Sequence, residues 1–387
     1  MKKLSVILAL ILVAWSCKKP FSLPANISAD GRFLVIEGVI SMNDSTFIRL
    51  SRTKKVDTFK TIIPERGAQV YIESNANAIY PLTETGPGAY AALPLNLDAS
   101  RQYRLRVKTT DGKVYLSDYV PVKNSPAIDS IGFNAQSQGV QIYANTHDDA
   151  NATKYYRWEY QETWQFHSWY ASGYRNDWHA RAASDQKHSC FGNDTSTNII
   201  LANTTKLTTD LIYQLPLAVI PANSEKIETK YSILVKQYAL TSDAYSFWQN
   251  LQTNTEKIGG IFDVLPSQLQ SNFHCVTNPG EPVVGYLSAG NVASKRIFIT
   301  VDQLPSSYSP QYPGGACKID TLFYVPANQQ QVNDNALYRI TMKNDSLIDG
   351  LFANPDVLGF PYAYTYSTGL CVDCTIRGTR VTPSFWK

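Results

Sequence analysis

The chemistry open to this 387-residue chain rests first on its six cysteines. Cys17 stands directly after the small Ser16, behind a basic Lys2-Lys3 start and an apolar run, residues 4–14, broken only by Ser5. That order of charge, hydrophobe and small residue is a secretory signal, and the run is too short to span a bilayer comfortably. Lipoprotein processing needs a cysteine at this point, because its thiol receives diacylglycerol before the chain is cut. Lipidation of Cys17 and removal of residues 1–16 are therefore expected. An ordinary cleaved signal with an incidental cysteine is the alternative. Outside the cytoplasm, disulfides are the default use of the other cysteines. Cys190, Cys275, Cys317, Cys371 and Cys374 are odd in number, so one thiol stays free or pairs between chains. The expected bridges are Cys190–Cys275 and Cys317 with either Cys371 or Cys374.

The spacing Cys371-Val372-Asp373-Cys374 also admits redox or zinc chemistry. Redox work places CxxC at the start of a helix in a thioredoxin-like setting, whereas here a short polar tail follows. Zinc needs further ligands, and the sequence offers no second CxxC or His pair to complete a set. A structural role is the preferred reading, with no metal and no cofactor. Ser288 lies in Gly285-Tyr286-Leu287-Ser288-Ala289-Gly290, but a nucleophile elbow needs glycine where Tyr286 stands. His147, His167, His179, His188 and His274 form no HExxH pair. Asp148-Asp149 lacks the alternating oxygen ligands of a calcium loop and reads as a charged turn. No catalytic set emerges.

Aromatic residues crowd into one segment. Tyr156, Trp158 and Tyr160 alternate, as the inner face of a strand would. Trp169, Tyr170, Tyr174 and Trp178 instead lie among Ser, Gly, Asn and Asp, the composition of a long loop. Large rings on a loop give contact area at low entropy loss. These four could stack on a sugar, grip a peptide or partner protein, or cap their own core, and self-packing is the simplest of these.

The elements that must carry these residues are mostly strands. The hydrophobic fraction is 44%, enough for sizeable cores, and Tyr 24 and Trp 7 against Met 3 favour β-structure. Lys+Arg 35 against Asp+Glu 32 leaves +3 with no long basic run, which argues against nucleic acid. After a tether over 17–31, period-two patterns at 33–40, 46–51, 68–73, 102–109 and 114–116 predict an immunoglobulin-like or transthyretin-like β-sandwich over 32–122. Asp111-Gly112 predicts a two-residue hairpin turn. Pro121 and Pro126 bracket a linker. A larger β-rich domain is expected over 127–387, with strands at 128–133, 140–144, 155–160, 199–202, 231–238, 283–288, 296–301 and 337–342. One helix near 242–257 breaks the pattern, capped by Thr241 or Ser242 and stopped at Gly259-Gly260. The fold class is mainly β, with one packed helix.

Several short stretches together carry a resemblance: Glu37-Gly38-Val39-Ile40, Gly67-Ala68-Gln69-Val70, Tyr155-Tyr156-Arg157-Trp158, Val235-Lys236-Gln237-Tyr238, and the ending around Cys371-Val372-Asp373-Cys374 with Pro383-Ser384-Phe385-Trp386. The chain resembles the Bacteroidetes envelope lipoprotein family known only as domain of unknown function four-two-four-nine. The resemblance implies an envelope lipoprotein, often encoded beside a TonB-dependent outer-membrane receptor, and transfers no catalytic residues; the expected location is the outer membrane. Surface-export signals of such lipoproteins are usually acidic after the lipidated cysteine, where this chain has Lys18-Lys19; the cell surface remains the expected side over the periplasmic face. The expected function is a non-enzymatic binding or accessory component of TonB-dependent transport. Its partners would be the membrane, through the lipid, and the receptor, with a small-molecule or peptide ligand left open. A structural or adhesive envelope protein is the alternative, and an unrecognised hydrolase comes third.

Overall fold

A computed structural model describes residues 32–53, 62–256, 270–311, 317–323, 345–351 and 363–387. The signal, Cys17 and the tether, the strand expected at 337–342 and the Gly259-Gly260 helix stop lie outside the described residues. The chain is mainly β and builds sandwich cores, as its patterning predicts.

The first sandwich forms where alternation is cleanest. In strand Gln102–Lys108, Tyr103, Leu105 and Val107 are buried while the residues between them face outward. They meet Leu34, Ile36, Ile48, Leu50, Val70 and Ile72 in one core. The hairpin to Val114–Ser117 is present, but its turn is longer than two residues. Gly112 N–H bonds Thr109 C=O at 3.0 Å, Gly112 alone takes a positive φ of 85°, and Thr109 N–H meets Lys113 C=O at 3.0 Å. A tight turn followed by a left-handed glycine is the three-residue hairpin loop with a bulge, and glycine fits that conformation without steric penalty.

The second core lies between two sheets. Strand Tyr155–His167 pairs with Lys230–Ala239, and that strand with Ser288–Thr300. Strands Ile128–Gln136, Gly139–Asp148 and Asp210–Pro221 form a separate three-stranded sheet. Ile142, Ala144, Tyr156, Trp158, Ile233 and Val235 fill the space between them. Helix Ser242–Glu256 falls where the sequence predicts it, with Thr241 Oγ1 accepting from Ala244 N–H at 3.2 Å. Its buried Ala244 and Tyr245 pack with Tyr238 and Leu240, and the Arg157 guanidinium sits between the Tyr238 and Trp248 rings at 4.5 and 4.4 Å. A small third sheet, Asp320–Phe323, Ala363–Thr368 and Asp345–Leu351, has its own core of Leu347, Tyr364 and Tyr366.

The division expected at 121–126 needs correction. Val120–Asn124 is a strand, paired with Gln102–Tyr103 on one side and Ala289–Asn291 on the other. Residues assigned by sequence to the second domain complete the first. Phe273–Cys275 extends its sheet beside Val114–Ser117, and Val283–Gly285 lies parallel to Leu34–Ile36. Phe273, Cys275, Val283, Leu287 and Ala289 are buried in the first core. Ser288–Thr300 then belongs to both units: residues 288–290 run parallel to Val39–Ser41, and residues 292–300 run antiparallel to 230–238. Local periodicity marks a strand but carries no information about which distant strand it joins.

Candidate functional site

The aromatic segment leaves the end of strand Tyr155–His167 and returns at Ser189–Thr195, where His167 pairs with Ser189. The backbone between them is an ordered excursion tied down along its length. Tyr170 N–H bonds Cys371 C=O at 2.9 Å, and its hydroxyl donates to Cys317 C=O at 2.9 Å. Gly173 N–H donates to Ile348 C=O at 2.6 Å, and Ser172 Oγ to Leu347 C=O at 2.7 Å. The excursion thus lies along the third sheet.

The four predicted contact residues separate into two kinds. Tyr174 and Trp178 pack against Tyr364, with ring centroids 5.1 and 5.2 Å away, and they cover the Leu347–Tyr364–Tyr366 core. They are packing residues. Tyr170 lies against Ile348, Cys371 and Val372. Trp169 presents the largest exposed ring of the four, at 49% exposure. Trp178 also holds a φ of 71°, a left-handed backbone that is rare for a bulky residue and persists only where surroundings enforce it.

Two disulfides close the region. Cys317 joins Cys371, one of the two partners expected for it. Cys190 joins Cys374 and not Cys275. The correction follows from the topology: Cys275 lies on a strand of the first sandwich and is a buried free thiol, while Cys190 sits with Phe166 and Cys374 in a separate small core. Both cysteines of the CxxC are therefore used, each by a different distant partner. Asp373 stands between them. Burial acts to raise its pKa, but Lys187 Nζ at 2.8 Å and the Thr375 hydrogen bonds hold it below the usual carboxylate range.

Between the excursion, the third sheet and this cross-linked tail lies a hollow of about 510 Å³. Its polar wall is organised in pairs. Arg175 meets Asp177 at 2.9 Å, Arg181 meets Asp185 at 3.1 Å, and Lys187 meets Asp373. Desolvation pushes the Asp177 carboxyl up, and the His179 backbone N–H and Arg175 charge draw it down by more. None of these charged residues stands out in the sequence, because their pairing appears only once the excursion folds back on itself. The weak signal available was three cations and three carboxylates flanking the aromatic run and the CxxC. A second hollow of about 280 Å³, lined by Asp118, Tyr119, Asp243 and Tyr286 among others, lies where the two sandwiches meet.

Other candidates resolve into structural roles. Asp148 accepts from the N–H groups of Ala150, Ala152 and Thr153, as a charged turn does. The His167 and His188 rings lie 4.9 Å apart, tilted by 34°, and burial followed by the His167 charge pushes the His188 pKa down. Ser168 Oγ lies 3.0 Å from His188 Nδ1, but Ser168 is 1% exposed and its hydroxyl donates to Tyr170 C=O at 2.8 Å. Among the described residues, no group of three or more His, Cys, Asp or Glu could hold a metal ion. No helix among them is long and apolar enough to cross a membrane.

The profile of a family described as "Domain of unknown function (DUF4249)" matches residues 19–296. No curated protein matches the chain. Among solved structures, a two-domain fibronectin type-III segment of chicken tenascin is similar over 53% of this chain and 90% of its own, at 12% identity and a TM-score of 0.16. At that TM-score the likeness adds nothing to the fold, which rests on the sheets described above.

Proposed function

This chain belongs to the family described as Domain of unknown function (DUF4249), and from that premise we propose that it is a non-enzymatic, lipid-anchored outer-membrane protein that binds a ligand beside a TonB-dependent receptor. The observation that carries the binding role is the hollow of about 510 Å³, whose walls are cross-linked by two disulfides. Sites for small ligands are concave, of this size and largely pre-formed. Anchoring at Cys17 is supported by the signal-like residues before it, and the disulfides suit an oxidising compartment. A lipid tether confines the protein to two dimensions and raises its effective concentration near a barrel in the same membrane, so a modest interface suffices.

Cys17→Ser is expected to abolish lipid labelling and release the protein from the membrane fraction; a mutant that keeps both label and membrane overturns the anchor. Crosslinking in the wild type, followed by pull-down from detergent-solubilised membranes, is expected to recover a TonB-dependent receptor. Its absence defeats the partnership. A second reading, a rigid spacer or adhesive protein, is favoured by strand Ser288–Thr300, which both sandwiches share. That reading takes over if no receptor is recovered.

A further inference from the structure

We propose that the hollow beside the double disulfide takes a neutral, polyhydroxylated ligand of the oligosaccharide class. The inference rests on the reading of this chain as a binding protein and names what its site would take.

Charge decides first. The wall carries three cations and three carboxylates, and each cation is already paired with a carboxylate of the same wall: Arg175 with Asp177, Arg181 with Asp185, Lys187 with Asp373. A charged ligand would have to compete with an existing ion pair for every contact with these six residues, whose charges sum to zero. Apolar content decides next. Val372 is the aliphatic residue in a wall otherwise made of charged groups, hydroxyls and one amide, so a hydrophobic ligand would bury little surface against it.

What the wall does offer is hydrogen-bonding capacity in matched donor–acceptor sets. An arginine fork has five N–H donors and a carboxylate about four acceptor positions, so the exposed Arg175–Asp177 pair keeps both kinds to spare, while Arg181 already bonds Ser172, Tyr174 and Asp185 and holds Asp185 in place. A hydroxyl donates and accepts at once. Adjacent hydroxyls of a sugar ring can therefore donate to Asp177 or Asp185 while accepting from Arg175. Ser346 lines the same space, beside Ser172, whose hydroxyl is already bonded to the Leu347 carbonyl at 2.7 Å.

Rigidity completes the case. Asp373 is held between Cys371 and Cys374, whose bridges to Cys317 and Cys190 fix the tail to two other segments. Arg181 is anchored by hydrogen bonds to Ser172 Oγ at 3.2 Å and Tyr174 C=O at 3.3 Å. Polar groups held in place before binding lose little entropy on contact, which is what a ligand bound by hydrogen bonds alone requires.

Calorimetric titration of the full mature lipoprotein in detergent tests the proposal. The probes are neutral trisaccharides of glucose, mannose, galactose and xylose, with trigalacturonate and a glucosamine trimer as charged counterparts. At least one neutral trisaccharide is expected to bind about tenfold more tightly than either charged trimer. Arg175→Ala/Asp177→Ala and, separately, Ser346→Phe should each weaken that binding about tenfold or more at unchanged unfolding temperature. Asp243→Ala, at the smaller hollow, should leave it unchanged. Preference for a charged trimer, binding untouched by both wall variants, or no neutral trisaccharide bound at millimolar concentration overturns the proposal. If that happens while the receptor still co-purifies, the site falls and the accessory role stands; sugar binding without a receptor sinks only the partnership.

Discussion

Trp178 combines a left-handed backbone with a ring wedged against Tyr364, so its side chain holds in place a conformation its backbone resists. Trp178→Ala removes the wedge and is expected to destabilise the protein by about 2–3 kcal/mol, less than the 3–5 of a fully buried tryptophan. Trp169→Ala, at a residue half open to solvent, should change stability by much less. Denaturant unfolding separates the two, and equal small effects would remove Trp178 from the packing described here. Glu281 gives the residue scale its pH dependence. Burial acts to raise its pKa, but hydrogen bonds from Lys113 and Tyr115, each at 2.6 Å, depress it. A depressed carboxyl stabilises the fold above its unfolded value near 4.5, and that contribution disappears as pH falls through the folded value. Unfolding temperature measured against pH should therefore drop in acid more steeply for the wild type than for Glu281→Gln; parallel curves would show that the group contributes nothing.

Strand Ser288–Thr300 is the element on which the two sandwiches depend. At Gly290 a Cβ would lie 2.0 Å from the Lys123 carbonyl oxygen, so Gly290→Ala must push the parallel strands apart. A loss of roughly 1–3 kcal/mol is expected, in the range of overpacked cores, with disturbance reaching both cores. Hydrogen exchange reads this directly: faster exchange in both 39–41 and 230–238 is expected, and change in one alone would contradict a shared strand. What was legible in the sequence follows the same division of scales. The Gln102–Lys108 alternation, the hairpin after it and the helix at Ser242–Glu256 announce themselves because each signal lies within a few residues. The parallel pairing of Val39 with Ser288 links residues far apart in the chain, and no local pattern encodes it. The ion-paired hollow is harder still to read, since Lys187 and Asp373 stand 186 residues apart in the sequence. The aromatic cluster was legible as a cluster, but Tyr174 and Trp178 proved to cover a core that lies beyond residue 344 in the sequence.

At the scale of the whole molecule, the order in which the chain is made acquires a meaning. Cys190 is joined to Cys374, 184 residues later, so three other cysteines, Cys275, Cys317 and Cys371, come between it and its partner. Cys275 emerges first after it, well before Cys317, Cys371 or Cys374. If the chain is exported vectorially into an oxidising compartment, as proposed, Cys190 would meet a wrong partner before its right one exists. Thiol–disulfide exchange can trap that pair and must later undo it. The first sandwich offers a kinetic safeguard: the strand Phe273–Cys275 pairs with Val114–Ser117, which precedes it in the chain, and the thiol is buried there. Nascent order and folding order are in competition for one sulfur. Cys275→Ser removes the competitor, so early time points of pulse-labelled, alkylation-trapped protein should contain more of the Cys190–Cys374 form than the wild type does. Weakening the dock with Phe273→Ala should do the opposite and accumulate a Cys190–Cys275 species, resolved only when a disulfide isomerase is present.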